Sequence, residues 1–198
     1  MQKNKRLNIK KCSDMGVQGK RPLKKLEGNF KEPDLIVDVE TILRMAVTDN
    51  CLDDKGNVIL DKVAEKYGIN VVYEDLPPTE SGYFRSEGGH YTIGINAKHH
   101  KKRQRFTFAH ELGHYCLHQG KNDVVFEDEV FYRIENSSSI EYAANEFAAR
   151  LLIPEDRLEK KIEGGMTNLA ELSDYFEVSQ DAMRYRVLSL NYRVTTNE

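Results

Sequence analysis

The chain has no run of about 18 consecutive apolar residues, so no membrane-spanning helix is expected. Its N-terminus is polar and basic and lacks the apolar centre of a secretory leader, so export is not expected and a cytoplasmic location is. Cys12, Cys51 and Cys116 are too few and too scattered for a disulfide framework. An odd, widely spaced set fits a reducing compartment. No two of them form a Cys-x-x-Cys pair, which argues against a structural zinc site built from thiolates. Glycine and proline are not enriched, and no tract repeats.

What is present is the composition of a soluble globular protein, 39% hydrophobic and 31% charged. A length of 198 residues suits one substantial domain, or one domain with a small appendage. Charge is unevenly spread. Residues 1–32 hold ten basic side chains against three acidic ones, a surplus of seven. The whole chain carries −3, so the remainder carries −10. Such a stretch reads first as a solvated, flexible basic extension over residues 1–33. An arm for nucleic acid or an acidic partner is the sharper alternative. No aromatics interleave the charges to stack on bases, so direct nucleic-acid binding is the weaker reading.

Hydrophobic spacing past Pro33 divides the chain into short elements. Ile36, Val39, Ile42, Leu43 and Ala46 recur at helical spacing, and Asp53–Asn57 reads as a turn. A second helix through Val58–Tyr67 should stop at Gly68. Ile69–Tyr73, Gly82–Arg85 and His90–Asn96 read as strands, the last two joined by a Gly88-Gly89 hairpin turn. The expected fold class is α+β: a small antiparallel sheet, with Tyr91–Asn96 as an exposed edge able to pair with a peptide. A long helix follows over about Lys98–His118, then an acidic loop with one strand over residues 119–136. The spacing then predicts a helix over Ile140–Leu152 and three shorter ones near 155–163, 168–176 and 180–190. Thr167 and Ser179 are the expected caps of the last two. The resulting division is a basic extension over 1–33, a main α+β domain over 34–163 and a helical module over 164–198.

The chemistry lies in Phe106-Thr107-Phe108-Ala109-His110-Glu111-Leu112-Gly113-His114. Residues four apart on an α-helix lie about 40° apart around the axis and about 6 Å along it, so two imidazoles converge there on one small cation. Zinc takes such nitrogen ligands in tetrahedral geometry. Glu111, beside them, can take a proton from water at the open coordination position and pass it to a leaving amine. The neighbours are apolar, and burying two unpartnered histidines and a glutamate would be costly. Gly113 lowers helix stability by about 1 kcal/mol relative to Ala, which makes sense where something packs closely.

A catalytic zinc site wants a third protein ligand. The candidate is Glu141 in Ile140-Glu141-Tyr142-Ala143-Ala144-Asn145-Glu146-Phe147-Ala148, a helix whose small apolar residues suit close packing. Asn145, four residues on, shares its face and can accept the other N–H of a ligand histidine. Glu146 points elsewhere by about 100°. His118 comes one turn past His114 and is expected beside the site rather than in it. Cys116 faces away and reads as a buried apolar residue. Tyr83, Tyr115, Tyr142 and His118 are all candidates for stabilising an oxyanion.

Arg105–His114, Glu141-x-x-Ala144-Asn145-x-Phe147-Ala148 and Leu151-Leu152-Ile153-Pro154 together resemble the ImmA/IrrE family of zinc metallo-endopeptidases, over roughly residues 55–190. The resemblance implies a gluzincin-like (zincin-like) fold, with His110, His114 and Glu141 as ligands of one Zn2+ ion and Glu111 as general acid/base. It implies a cytoplasmic protease whose protein substrate is a transcriptional repressor or other regulator of a mobile element, prophage or stress response. The segment Leu169–Leu188 reads as helix, turn, helix, with Leu169, Leu172, Phe176, Val178, Met183 and Val187 as its core. Its last helix carries Arg184 and Arg186, which raises DNA contact, but Glu171, Asp174, Glu177 and Asp181 would repel phosphates. The alternatives are a DNA- or protein-binding regulator with a structural or vestigial zinc site, and a regulator controlled by metal loading.

Overall fold

In the computed structural model of the chain, residues 7–11, 37–118, 125–129 and 139–196 are described. Strand β1 (Leu7–Lys11) lies inside the basic N-terminal stretch. These five residues form a strand; the rest of the expected extension over 1–33 falls outside the described residues. The short alternation of Leu7 and Ile9 among polar neighbours is too brief to register as a strand pattern. Ile9 is 1% exposed and joins the hydrophobic core.

Helix α1 (Val39–Thr48) begins at Asp38, whose carboxylate accepts from the Thr41 amide at 2.6 Å, an N-cap that satisfies one otherwise unpaired donor. Val39, Ile42 and Ala46 form its buried stripe. Helix α2 (Leu60–Lys66) is shorter than expected, because Val58 instead bridges to Leu52 across the Asp53–Asn57 turn. Gly68, with φ of +66°, ends it as a residue without Cβ can.

Three strands follow: β2 (Ile69–Glu74), β3 (Glu80–Glu87) and β4 (His90–Asn96). Gly88 and Gly89 both have positive φ, which the tight β3–β4 hairpin requires. Helix α3 (Lys101–His118) comes next, then β5 (Val125–Glu129). The sheet order is β2-β4-β3-β5. β3 is antiparallel to both β4 and β5, but β2 runs parallel to β4, so the sheet is mixed rather than wholly antiparallel. β4 is consequently an interior strand, and the exposed edge expected over Tyr91–Asn96 does not exist. The reason lies in residues 75–79, which carry the chain across the end of β4 from one of its flanks to the other. Asn96, fully buried at that end, holds the crossing: its Nδ2 lies 3.2, 3.0 and 2.8 Å from the carbonyls of Leu76, Pro77 and Glu80.

Helix α4 (Ser139–Leu152) lies along α3 and stops before Pro154. It is followed by α5 (Glu155–Glu163), α6 (Leu169–Tyr175), α7 (Gln180–Ser189) and β6 (Tyr192–Thr196), which pairs antiparallel with β1. The cap of α6 is Asn168, not Thr167: its Oδ1 accepts from the amides of Ala170 and Glu171. Ser179 caps α7 as expected. Leu169, Leu172, Phe176, Val178, Met183 and Val187 are all buried, in one hydrophobic cluster with Ile42, Ile93 and Leu112. The mixture of a small sheet, a buried helix and C-terminal helices is the α+β arrangement expected.

Candidate metal centre

α3 is buried along most of its length because it is covered by the sheet on one side and by α4 on another. Gly113 makes the second contact possible. A Cβ there would lie 3.2 Å from Ala144 Cα and 3.3 Å from both Ala144 O and Phe147 Cβ. The small residues of α4 and this glycine let the two backbones approach, which brings the side chains flanking the contact together.

Those side chains are His110 and His114 from α3 and Glu141 from α4. The two Nε2 atoms lie 3.0 Å apart, with ring planes at 80°. Glu141 reaches across with Oε2 at 3.2 Å from His110 Nε2 and Oε1 at 3.4 Å from His114 Nε2. A tetrahedral zinc ion with ligands at about 2.0–2.1 Å sets its donors about 3.3 Å apart. The three observed separations straddle that edge length, so the donor set fits the ion in both spacing and chemistry. His110 and His114 are each 1% exposed, whereas the Glu141 side chain is 33% exposed, so the cluster opens on the α4 side.

Asn145 occupies the position expected of it. Its Oδ1 lies 3.0 Å from His110 Nδ1 and accepts the proton there, which leaves Nε2 with its lone pair directed at the cluster. Glu111 is fully buried, next to His110 in the chain.

Other expectations divide. Cys116 is buried as an apolar residue would be, and burial pushes its thiol up to about 12. Glu146 does point away, toward Arg186 at 3.8 Å. Arg186 is 5% exposed and donates from Nε to the Ile153 carbonyl at 3.1 Å. It is an internal tie between α7 and the end of α4, not a phosphate contact. Among the oxyanion candidates, Tyr115 is buried in an aromatic group with Tyr67, Phe84 and Tyr91, and Tyr83 bonds Glu74 at 3.0 Å. Tyr142 is exposed beside Glu141. His118 closes α3, and its side chain lies outside the described residues.

The sequence model of the IrrE N-terminal-like domain, peptidase family M78, matches residues 64–188. The chain belongs to that family. The matched span of this IrrE-like chain runs from the end of α2 to the last turn of α7 and contains His110, Glu111, His114 and Glu141. The chain is also similar to the radiation response metalloprotease IrrE of Deinococcus radiodurans, 38% identical over 100 residues. That alignment takes in 48% of this chain and 30% of the relative, so the chain spans under a third of the protein it matches.

Proposed function

We propose that this IrrE-like chain is a zinc-dependent endopeptidase that cuts a regulatory protein. The observation that carries the proposal is the convergence of His110, His114 and Glu141 within 4.8 Å of one another, beside a buried glutamate at the middle of the His-Glu-x-x-His spacing. His110 and His114 would hold the metal through Nε2, and Glu141 through its carboxylate. Nitrogen and carboxylate donors together suit zinc better than magnesium or calcium. Bound zinc supplies a Lewis acid that polarises a peptide carbonyl and acidifies water.

The chain's own groups do the remaining work. Asn145 keeps the proton on His110 Nδ1. Glu111 accepts a proton from the attacking water at one carboxylate oxygen and delivers it to the leaving amine nitrogen. Its burial excludes bulk water from that transfer. With β4 internal, peptide pairing passes to the sheet's outer strands, and β5 is the one beside β3, where an extended substrate can add.

The competing reading is a regulator with a structural zinc. A structural site closes the metal with four protein ligands. Among the described residues only three donors gather, which favours the catalytic reading. No described helix is long and apolar enough to cross a membrane.

The test is incubation of the zinc-loaded protein with a candidate repressor, with and without chelator, alongside Glu111→Gln. Chelation should stop cleavage. Glu111→Gln should retain zinc and cleave about 10²- to 10⁴-fold more slowly. A zinc-replete Glu111→Gln protein that cleaves at the wild-type rate overturns the role of Glu111.

A further inference from the structure

We propose that a cavity on the far side of α3 from the metal cluster is a second binding site, which takes a small organic carboxylate with an apolar body. The proposal goes beyond the endopeptidase reading and does not depend on it.

The cavity has a volume of about 360 Å³. Pockets of about 300–1,000 Å³ hold small molecules. Its walls come from the Asp53–Asn57 turn, the start of α2, the end of β2, the first half of α3 and the α6–α7 connection. From α3 come Lys101, Gln104, Arg105 and Phe108. Each helical residue turns by about 100°, so Lys101, Arg105 and Phe108 lie about 140–180° around the axis from His110. The cavity and the metal donors therefore use opposite faces of one helix. None of His110, His114 and Glu141 lines the cavity.

Arg105 is the group that an anion would satisfy. Its Nη2 donates to the Val58 carbonyl at 3.0 Å, which fixes the guanidinium against the wall. Among the described residues no other acceptor meets it, and its Nε is buried without a partner. Gln104 is left in a similar state. It is 4% exposed and donates from Nε2 to the carbonyls of Asn96 and Ala97, both at 2.9 Å, while its Oε1 is buried and unbonded. Three carboxylates line the cavity, but among the described residues none forms an ion pair with Arg105. Asp53 accepts from the amides of Lys55 and Asn57 at 2.9 and 2.7 Å, and Glu177 pairs with Lys55 at 3.4 Å. Asp61 stands exposed. Burial holds the Arg105 guanidinium below its usual range, and an anion beside it would offset that cost.

The rest of the lining sets the ligand's class. Val58, Leu60 and Phe108 are buried apolar residues. Tyr73, 50% exposed, adds an aromatic ring with Lys101 Nζ 5.8 Å from its centre. An anion that also covers this wall has an apolar body. Two cations face three acids, so a singly charged carboxylate suits the cavity better than a phosphate dianion, which would meet more repulsion.

The test is fluorine NMR of the full chain with fluorinated aryl and branched-alkyl carboxylates, each beside its primary amide. Carboxylates also bind zinc, so every titration is run zinc-loaded and again in chelator. At least one acid should bind saturably and equally in both conditions, and its amide should bind at least about tenfold more weakly. Inorganic phosphate should not displace it. Arg105→Gln should abolish binding. Tyr73→Ser and Lys101→Glu, at exposed positions where folding is not at stake, should each weaken it about tenfold. Lys160→Glu makes the same charge change on the exposed side of α5 and should alter binding less than about twofold. The proposal is overturned by a set in which no acid binds, by amides that bind as well as their acids, by displacement with phosphate, by binding that is lost in chelator, or by Lys101→Glu and Lys160→Glu acting alike. None of these outcomes bears on the endopeptidase reading, which is judged by cleavage.

Discussion

Replacing Gly113 separates the stability of the fold from the assembly of the metal centre. An added Cβ would sit 3.2–3.3 Å from three atoms of α4, two of them backbone and the third a Cβ. None of these can swing aside as a flexible side-chain end would, so α4 itself must recede by a few tenths of an ångström. Against this, Ala stabilises a helix over Gly by about 1 kcal/mol. The two effects oppose each other, and Gly113→Ala should leave unfolding free energy within about 1 kcal/mol of wild type. Gly113→Val adds two further methyl groups at the same contact and should lose about 1–3 kcal/mol through overpacking. The metal centre should respond differently. Glu141 and Asn145 stand on α4 within one turn of Ala144, so a receding helix widens donor separations that are now 3.2 and 3.4 Å. Zinc affinity should therefore fall about tenfold or more even in Gly113→Ala, where stability barely changes. Urea unfolding of the metal-free protein followed by circular dichroism gives the first quantity, and competition against a chelating dye gives the second. If Gly113→Val unfolds at the wild-type urea concentration and binds zinc with wild-type affinity, the close approach of α3 and α4 is not what assembles the site.

Asn145→Ala should weaken zinc binding by about 10- to 100-fold while leaving the fold intact, measured by the same competition, because His110 then loses the acceptor that orients it. Ile9→Ala should destabilise the protein by about 2–4 kcal/mol in urea unfolding, since Ile9 fills the core from the N-terminal strand; a wild-type midpoint would show that β1 does not dock. Cys116 should resist alkylation in the native protein at pH 8.5 and react once unfolded, as a mass measurement would reveal. Its thiol is raised from 9.0 to about 12, so the stability contributed by the neutral thiol is full below pH 9 and is lost as pH rises toward 12. Unfolding monitored between pH 9 and 11 should therefore be steeper for wild type than for Cys116→Ala.

The candidate metal donors are legible in the sequence because their pattern is local. His110 and His114 are one helical turn apart by number alone, and the apolar residues between and around them mark that helix as internal. Glu141 and Asn145 show the same spacing on a second helix, and Gly113 and Ala144 are small where two helices must touch. The buried residues of α6 and α7 followed from helical periodicity in the same way. Strand order did not, because a short strand with apolar residues reads alike at an edge or in the interior. β4 is internal through a crossing of five residues held by the Asn96 amide, a set of hydrogen bonds between distant parts of the chain. The docking of Leu7–Lys11 on Tyr192–Thr196 and the inward turn of Arg186 are of the same kind. Periodicity and capping act within a few residues and are written in the sequence. Which elements then lie side by side depends on how buried faces and unpaired polar groups are satisfied across the whole molecule, and only the tertiary structure decides that.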